Sequence, residues 1–197
     1  MIMKIFPARS RYGTERAEPC RMLDTLITSK TRIKLLLKFF LNSGAKSYLR
    51  NLETEFGEST NAIRVELNRM EEAGLLIAKV QGNRKYFSAN TKHPLFPDIN
   101  SILKKYVGID QIIDNILHRL GGLKKAYITG DLASGKDSRT IELLLVCNGI
   151  DREYLDYLTG RAEQMIKRKI HPKIISSKEE ESQLKNHPEA LLVWKEK

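Results

Sequence analysis

Cysteine is scarce in this 197-residue chain, and long apolar runs are absent. The two cysteines, Cys20 and Cys147, lie far apart and outside any CxxC or CxC spacing, which argues against a disulfide framework and a cysteine-based zinc site. The apolar stretches fall short of the ~18 residues that span a bilayer, and the start lacks the apolar segment of a secretory signal. We therefore expect a soluble, cytoplasmic protein with no membrane partner.

Histidines are also few. The four of them are scattered along the chain, and each is typical of an ordinary surface or structural histidine: His93, His118, His171 and His187. The sequence therefore predicts neither a metal site nor a cofactor.

Positive charge is what the sequence has in excess, and it is concentrated toward the front. Residues 1–125 hold 22 Lys and Arg against 12 Asp and Glu, whereas residues 126–197 hold 12 of each. Because basic side chains release counterions when they neutralise phosphates, this asymmetry is typical of a first part that binds nucleic acid. The length and the charge distribution together favour two small domains.

The front of the chain predicts an extension followed by a helix. Residues 1–22 carry five basic groups without a sustained period, and we expect a flexible basic extension that is either a DNA-gripping arm or a stretch without a role. The apolar pattern predicts a helix over residues 30–41, with Ser29 as its N-cap and Asn42 and Gly44 at its end. The apolar stripe of this helix is Ile33, Leu36, Leu37 and Phe40.

Two further helices are predicted on either side of Gly57. In "KSYLRNLETEFG" the stripe is Leu49, Leu52 and Phe56, and in "ESTNAIRVELNRMEEAGLL" it is Ile63, Leu67 and Met70, with Ser59 as the N-cap and Gly74 at the exit. A hairpin follows, in which two extended runs flank Gly82 and Asn83. Two helices across a turn and then a basic hairpin indicate a winged helix-turn-helix.

The quoted "ESTNAIRVELNRMEEAGLL" with "GNRKYF" resembles the recognition helix and wing of ArsR-type transcriptional regulators, over about residues 23–92. The resemblance implies a homodimer on double-stranded DNA and a DNA-binding domain over residues 23–95. ArsR-type proteins often sense metals on the helix before the recognition helix. The corresponding "YLRNLETEF" has no Cys or His, so we do not expect metal sensing there.

The helix after Ser59 carries base-reading chemistry on the side opposite its core stripe. An Asn amide can pair with adenine, an Arg guanidinium with guanine, and a Val can touch a thymine methyl. Ser59 and Thr60 suit a phosphate at the helix N-terminus. A merely solvated face is the alternative, and Glu66 and Glu72 would repel phosphate if they faced it. The predicted DNA-binding residues are Ser59, Thr60, Asn61, Arg64, Val65, Asn68 and Arg69.

The wing adds Lys79, Arg84 and Lys85 to the predicted DNA-binding residues. Their spacing predicts Lys79 and Lys85 on one side of the hairpin and Arg84 at its tip, where they would clamp the phosphate backbone. Charges that only solubilise a sheet edge are the alternative.

Residues 96–122 predict a linker helix. Its apolar stripe has more surface than one neighbour would cover, so it is a candidate dimerisation helix, with burial against the C-terminal domain as the alternative. The stripe consists of Ile99, Ile102, Leu103, Tyr106, Ile109, Ile112, Ile113, Ile116, Leu117 and Leu120.

Residues 123–197 predict a small α/β domain. "KKAYITGDLASG" indicates a strand and a Gly turn, "TIELLLVCN" a second strand, and "DREYLDYLTGRAEQMIKRKI" a helix; a short strand, a charged helix and a terminal run follow. The inward side of the long helix is predicted to be Tyr154, Leu155, Leu158, Ala162 and Met165.

This layout resembles the minimal nucleotidyltransferase fold, in which a Gly-Ser turn holds a triphosphate and two strand carboxylates hold Mg²⁺. Gly130 to Gly135 occupy the place of that turn. The sequence departs from the family because Asp131 stands where the serine is expected and Thr140 replaces the first carboxylate, leaving Glu142 alone in the second place. We expect a degenerate nucleotide site without catalytic residues. A different metal site built from Asp131, Asp137 and Glu142 is the minor alternative.

The sequence thus predicts an α+β chain with a winged helix-turn-helix, a linker helix and a nucleotidyltransferase-like domain. The expected function is sequence-specific transcriptional regulation, with the C-terminal domain sensing a small-molecule or protein effector, binding a partner or dimerising. The alternative is an active nucleotidyltransferase whose winged helix targets or autoregulates it.

Overall fold

The computed structural model describes residue 23 and residues 25–196, so the predicted extension, residues 1–22, lies outside the described residues. The described chain is α+β, as expected, with two separate sheets. The helices are α1 (Lys30–Leu36, continued by a π-helical turn over Leu37–Leu41), α2 (Leu49–Phe56), α3 (Thr60–Glu72), α4 (Phe96–Val107), α5 (Ile109–Asn115), α6 (Gly130–Ala133), α7 (Arg152–Ile166) and α8 (Glu180–Asn186). The strands are β1 (Lys46–Tyr48), β2 (Leu76–Gln81), β3 (Arg84–Ala89), β4 (Leu123–Thr129), β5 (Thr140–Cys147), β6 (Lys169–Ile175) and β7 (Leu191–Lys195).

Helix α1 spans the predicted residues 30–41, but its second half widens into a π-turn. Ser29 caps it by accepting a hydrogen bond from the Arg32 N–H. Besides most of the predicted stripe, the structure buries Leu35, Phe39 and Leu41. This helix is covered on more than one side, which a single apolar stripe did not predict.

The first sheet has the order β1-β3-β2 and is antiparallel throughout. Lys46–Tyr48, which the sequence pattern assigned to a helix, pairs with β3 as a short strand, and helix α2 begins only at Leu49. The helix prediction was wrong for these three residues because their partner strand lies about 40 residues away in the sequence. Gly57 ends α2 with a φ of 63°.

The predicted linker helix is two helices, because Gly108 breaks it with a φ of 87°. A Cβ at Gly108 would lie 2.8 Å from the Ile166 Cγ2, so the break also lets α7 approach closely. Most of the predicted stripe is buried within this chain, namely Leu103, Tyr106, Ile109, Ile112, Ile116, Leu117 and Leu120, whereas Ile102 remains 48% exposed. This burial favours the alternative in which the stripe packs against the rest of the chain.

The second sheet has the order β6-β5-β4-β7. Strands β5 and β6 are parallel and connected by α7, and the other two pairs are antiparallel. Strand β5 is a continuous apolar run because both its faces are covered: Ile141, Leu143 and Leu145 lie in the main core, and Leu144 and Val146 lie in a smaller cluster under α8. Helix α7 buries Leu155, Leu158 and Ala162 as predicted, but Tyr154 and Met165 are 42% and 49% exposed, so their inward placement was wrong.

One buried apolar cluster runs from α1 through α4 and α5 into the second sheet. The seam between the N-terminal part (residues 23–95) and the C-terminal part (residues 123–196) is tight where α1 meets α6. Asn42 donates hydrogen bonds to the carbonyl oxygens of Ala133 and Glu189, at 3.2 and 3.1 Å. A Cβ on Gly135 would lie only 2.2 Å from the Lys38 Cα. Within the described residues, no helix is both long and apolar enough to cross a membrane.

Candidate nucleic-acid interface

Helix α3 presents its predicted polar face to solvent. Ser59 caps the helix by accepting from the Ala62 N–H at 3.2 Å, and Ile63, Leu67 and Met70 are buried as expected. The opposite face is exposed over Asn61, Arg64, Val65, Asn68 and Arg69, and Thr60 is half-buried at the edge of this face. The amide, guanidinium and apolar groups needed for base reading are therefore accessible together on one side of one helix.

Glu66 turns away from this face. Its side chain is buried, and its carboxylate accepts hydrogen bonds from the Arg32 Nε and Nη2 at 2.8 and 3.3 Å, with the Arg69 Nη1 at 3.7 Å. Burial opposes its ionisation, but the hydrogen bonds from Arg32 and Ser29 and the two guanidinium charges outweigh burial and lower the pKa. Its sequence position suggested that Glu66 would repel phosphate. The carboxylate is instead engaged in an ion pair inside the domain and does not face the exposed side of α3.

Helix α1 fixes the turn between α2 and α3. The Lys34 Nζ donates to the Phe56 carbonyl oxygen at 3.0 Å and contacts the Glu58 carboxylate at 2.6 Å, and Thr31 also hydrogen-bonds Glu58. Burial of Glu58 is again outweighed by these donors, and its pKa lies below the ordinary value. The three residues between the helices thus have little freedom, and the direction of α3 is set by contacts to a neighbouring helix.

The hairpin places its basic residues on two faces. Gln81 pairs with Arg84 across a two-residue turn, and Gly82 has a φ of 58°, the conformation that a first central position in a type II′ turn needs. Lys79 lies opposite Tyr86, whereas Lys85 lies opposite Val80. Because side chains alternate along a strand, Lys85 shares its face with Val80 and not with Lys79. The prediction that Lys79 and Lys85 lie on one side was therefore wrong, and Arg84 follows the tip and begins β3.

Arg84 and Lys85 are held by different partners. The Arg84 guanidinium lies 4.7 Å from the centre of the Tyr48 ring, and Tyr48 contacts the Tyr86 ring edge-on at 5.4 Å. A hydrogen bond to Tyr86 raises the pKa of Arg84. Lys85 lies over the Phe87 ring, and its Nζ contacts the Glu71 Oε2 of α3 at 2.6 Å. This ion pair ties the hairpin to α3.

A groove of about 960 Å³ separates α3 from the hairpin and the start of α2. Its walls include Arg64 and Asn68 from α3 and Arg84 from the hairpin, all predicted DNA-binding residues. They also include Tyr48 and Arg50, which the sequence reasoning missed. The sequence "SYLR" contains the basic Arg50, but only the pairing of β1 with β3 brings this segment beside the hairpin.

The structure also brings some residues of the predicted degenerate nucleotide site close together. Gly130 follows β4, with a φ of 69°, and a Cβ there would lie 2.7 Å from the Glu142 carboxylate. Thr140 and Glu142 are two residues apart in β5, so their side chains lie on the same face of the strand. The Thr129 hydroxyl is 3.4 Å from the Glu142 Oε2. Gly135 does not lie at a nucleotide pocket but against the backbone of Lys38. The Gly130, Thr140 and Glu142 positions therefore share one end of the sheet.

The first backbone N–H of this turn, which a phosphate oxygen would use, already has a partner within the chain. The Gly130 N–H donates to the Glu189 Oε1 at 3.0 Å, and the His187 Nδ1 is 3.1 Å from the same oxygen. Burial opposes ionisation of Glu189, but these hydrogen bonds lower its pKa, so it is a carboxylate. Asp131 pairs with Lys136 at 3.2 Å, while Asp137 pairs with Arg168 at 2.8 Å. In the part of the chain that the structure describes, no three His, Cys, Asp or Glu side chains are grouped to hold a metal.

Comparison with known proteins adds no assignment. No protein-family model matches the chain, and no curated protein matches it.

Proposed function

We propose that this protein is a sequence-specific double-stranded-DNA-binding regulator of the winged helix-turn-helix type, related in design to the ArsR-type proteins. The single observation that carries the proposal is the exposed face of Asn61, Arg64, Val65, Asn68 and Arg69, with a basic hairpin beside it. An α-helix fits the major groove of DNA, where these side chains meet distinct patterns of donors and acceptors on the base edges.

The division of labour follows from the side chains and their positions. Asn61 and Arg64, near the start of α3, are the readers of adenine and guanine, and Val65 contacts thymine methyl groups. Ser59 and Thr60 contact a phosphate at the helix N-terminus, where the macrodipole favours an anion. Lys79 and Arg84 contact the flanking backbone, together with Arg50 across the groove. Lys85 joins them only by leaving Glu71, since its ammonium group is paired in the free protein.

The C-terminal part serves the regulator as a nucleotidyltransferase-like domain without transferase activity, in sensing, partner binding or dimerisation. Support comes from the Gly130 turn, where Glu189 occupies the N–H that a phosphate oxygen would use, and from Thr140, which supplies no carboxylate. Incubation with labelled nucleoside triphosphates and Mg²⁺ or Mn²⁺ tests this assignment. Incorporation that disappears in Glu142→Ala would establish the enzyme instead.

The DNA proposal is tested by selecting fragments from random or genomic DNA with the purified protein, followed by titration on the enriched site. Replacing Asn61 or Arg64 by Ala should relax the preference at one base pair, by about 1–3 kcal/mol for each bidentate contact. Arg139→Ala is the matched control, since Arg139 is an exposed arginine in the C-terminal part. An enriched palindrome would give the symmetry and the half-site spacing together.

Two results would overturn the proposal. One is a protein that ignores duplex DNA even at low salt, where phosphate contacts are strongest. The other is an equal loss on every sequence from Asn61→Ala and Arg64→Ala, which would remove the reading role from α3.

A further inference from the structure

We propose that the outer face of α7 is a two-fold interface between two copies of this chain, with Tyr157 at the symmetry axis. Homodimers usually form through one patch that contacts itself. The inner face of α7 is already buried against the second sheet, through Leu155, Leu158, Ala162 and Ile166. Among the described residues, the outer face is the side of this 15-residue helix that is not buried against the sheet.

The outer face carries large apolar groups at helical spacing. Tyr154, Tyr157 and Met165 are 42%, 57% and 49% exposed. The two tyrosine rings stack at 6.4 Å, and the Arg161 guanidinium lies 5.9 Å from the Tyr157 ring, with its Nη1 3.4 Å from the Tyr157 hydroxyl oxygen. Tyrosine and arginine are the residues that protein interfaces concentrate at their centres. The contacts among Tyr154, Tyr157 and Arg161 restrict these three side chains, which lowers the entropic cost of association.

The charges of this face are complementary to themselves when the second helix runs antiparallel. Glu153 and Arg161 stand four residues before and after Tyr157. Within one helix they are about 12 Å apart, too far to pair. An antiparallel copy centred on Tyr157 brings Glu153 beside the Arg161 of the other chain, and the same contact repeats by symmetry.

Gly160 supplies the space that such packing needs. It lies within α7 and disfavours the helix there, yet a Cβ at this position would have no atom of the described residues within 4 Å. Gly160 lies about 60° around the helix from Tyr157, on the outer face, so its missing side chain leaves room for a second helix to approach. One helix per subunit buries less than the roughly 800 Å² per partner of a standard interface. We therefore expect a micromolar dimer rather than an obligate one.

Sedimentation equilibrium of the full chain without DNA tests the interface separately from the proposed DNA function. The single reversals Glu153→Arg and Arg161→Glu each place like charges opposite each other, and should raise the dimer dissociation constant about tenfold or more. The double variant E153R/R161E restores opposite charges and should restore dimerisation, which a folding defect would not do. A wild-type chain that stays monomeric to hundreds of micromolar overturns the proposal, as does a folded double variant that stays monomeric.

Cross-linking locates the axis. In a Cys20→Ser background, Tyr157→Cys should form an intermolecular disulfide on mild oxidation, since residues on the axis come within the 4.4–6.8 Å that a disulfide spans between Cα atoms. Ile102→Cys, on the exposed side of α4, is the control and should cross-link much more slowly. Equal rates for the two variants would place the dimer contact elsewhere and refute the assignment of α7.

Discussion

Replacing Gly135 by Ala tests the seam between the two parts of the chain. An added Cβ meets two obstacles. The residue has a φ of 87°, and the Cβ would lie 2.2 Å from the Lys38 Cα, a backbone atom that cannot rotate away. A non-glycine residue in the left-handed region costs about 1–2 kcal/mol, and overpacking costs about 1–3 kcal/mol. We expect Gly135→Ala to lower the free energy of unfolding by about 2–5 kcal/mol.

Gly149→Ala separates the two costs. Gly149 has a similar φ of 79°, but within the part of the chain that the structure describes a Cβ there meets nothing within 4 Å. It should lose only the conformational term, about 1–2 kcal/mol, and both variants share the same change in unfolded-chain entropy. The difference between them, about 1–3 kcal/mol, is therefore the cost of the contact with α1.

Urea denaturation followed by circular dichroism measures both variants. Because one buried cluster joins the two parts, the wild type should unfold in a single transition. If Gly135→Ala costs no more than Gly149→Ala, the close approach of α1 to Gly135 does not exist in solution, and the packing of the two parts described above is refuted.

Three further predictions concern charge and DNA. Glu66→Gln should lower the free energy of unfolding by about 1–3 kcal/mol at pH 7. The pKa of Glu66 in the folded protein lies below its ordinary value of 4.5, so its contribution is present above pH 4.5 and is lost as the pH falls through the folded pKa. The denaturation curves of the wild type and the variant should therefore converge in acid. Tyr127 is buried and hydrogen-bonded to Glu180, which raises its pKa from 10.0 to about 12. Its contribution to stability is complete below pH 10 and is lost as the pH rises toward 12. Ultraviolet titration should show one tyrosine that ionises later than the others and that Tyr127→Phe removes, whereas an unchanged titration curve would contradict the burial. Arg84→Ala should weaken binding to all DNA sequences alike and reduce the salt slope by about one, and a loss confined to one sequence would make Arg84 a reader of bases.

Local patterns predicted most of the helices and strands. Ser59 as a cap, Gly57 as a turn and the exposed side of α3 all follow from neighbours within a few positions, so sequence alone located them. The same reasoning failed where a distant partner decides. Lys46–Tyr48 became a strand because β3 pairs with it, and Glu66 became an internal ion-pair member because Arg32 lies on another helix.

The candidate sites show the same limit. An apolar stripe on α7 was assigned inward as a whole, but only one side of that helix meets the sheet, and Tyr154 and Met165 lie on the other. The faces of Lys79 and Lys85 depend on the hairpin register, which a one-residue difference in turn length inverts. Tyr48 and Arg50 could not be connected to the groove without knowing that β1 borders the hairpin.

The π-helical turn at Leu37–Leu41 makes α1 a shared component of both parts. Leu37, Phe39, Phe40 and Leu41 are all buried; Phe40 stacks on Phe96 of α4 at 5.5 Å, and the neighbouring Lys38 backbone meets Gly135. Because a π-helical turn is wider than an α-helical one, its five side chains point in directions that a regular helix does not combine, and the turn can contact both parts of the chain. Deleting one residue here would restore ordinary helical winding and rotate the exposed face of α3 relative to the rest of the molecule, so the length of a single turn sets the direction in which that face points.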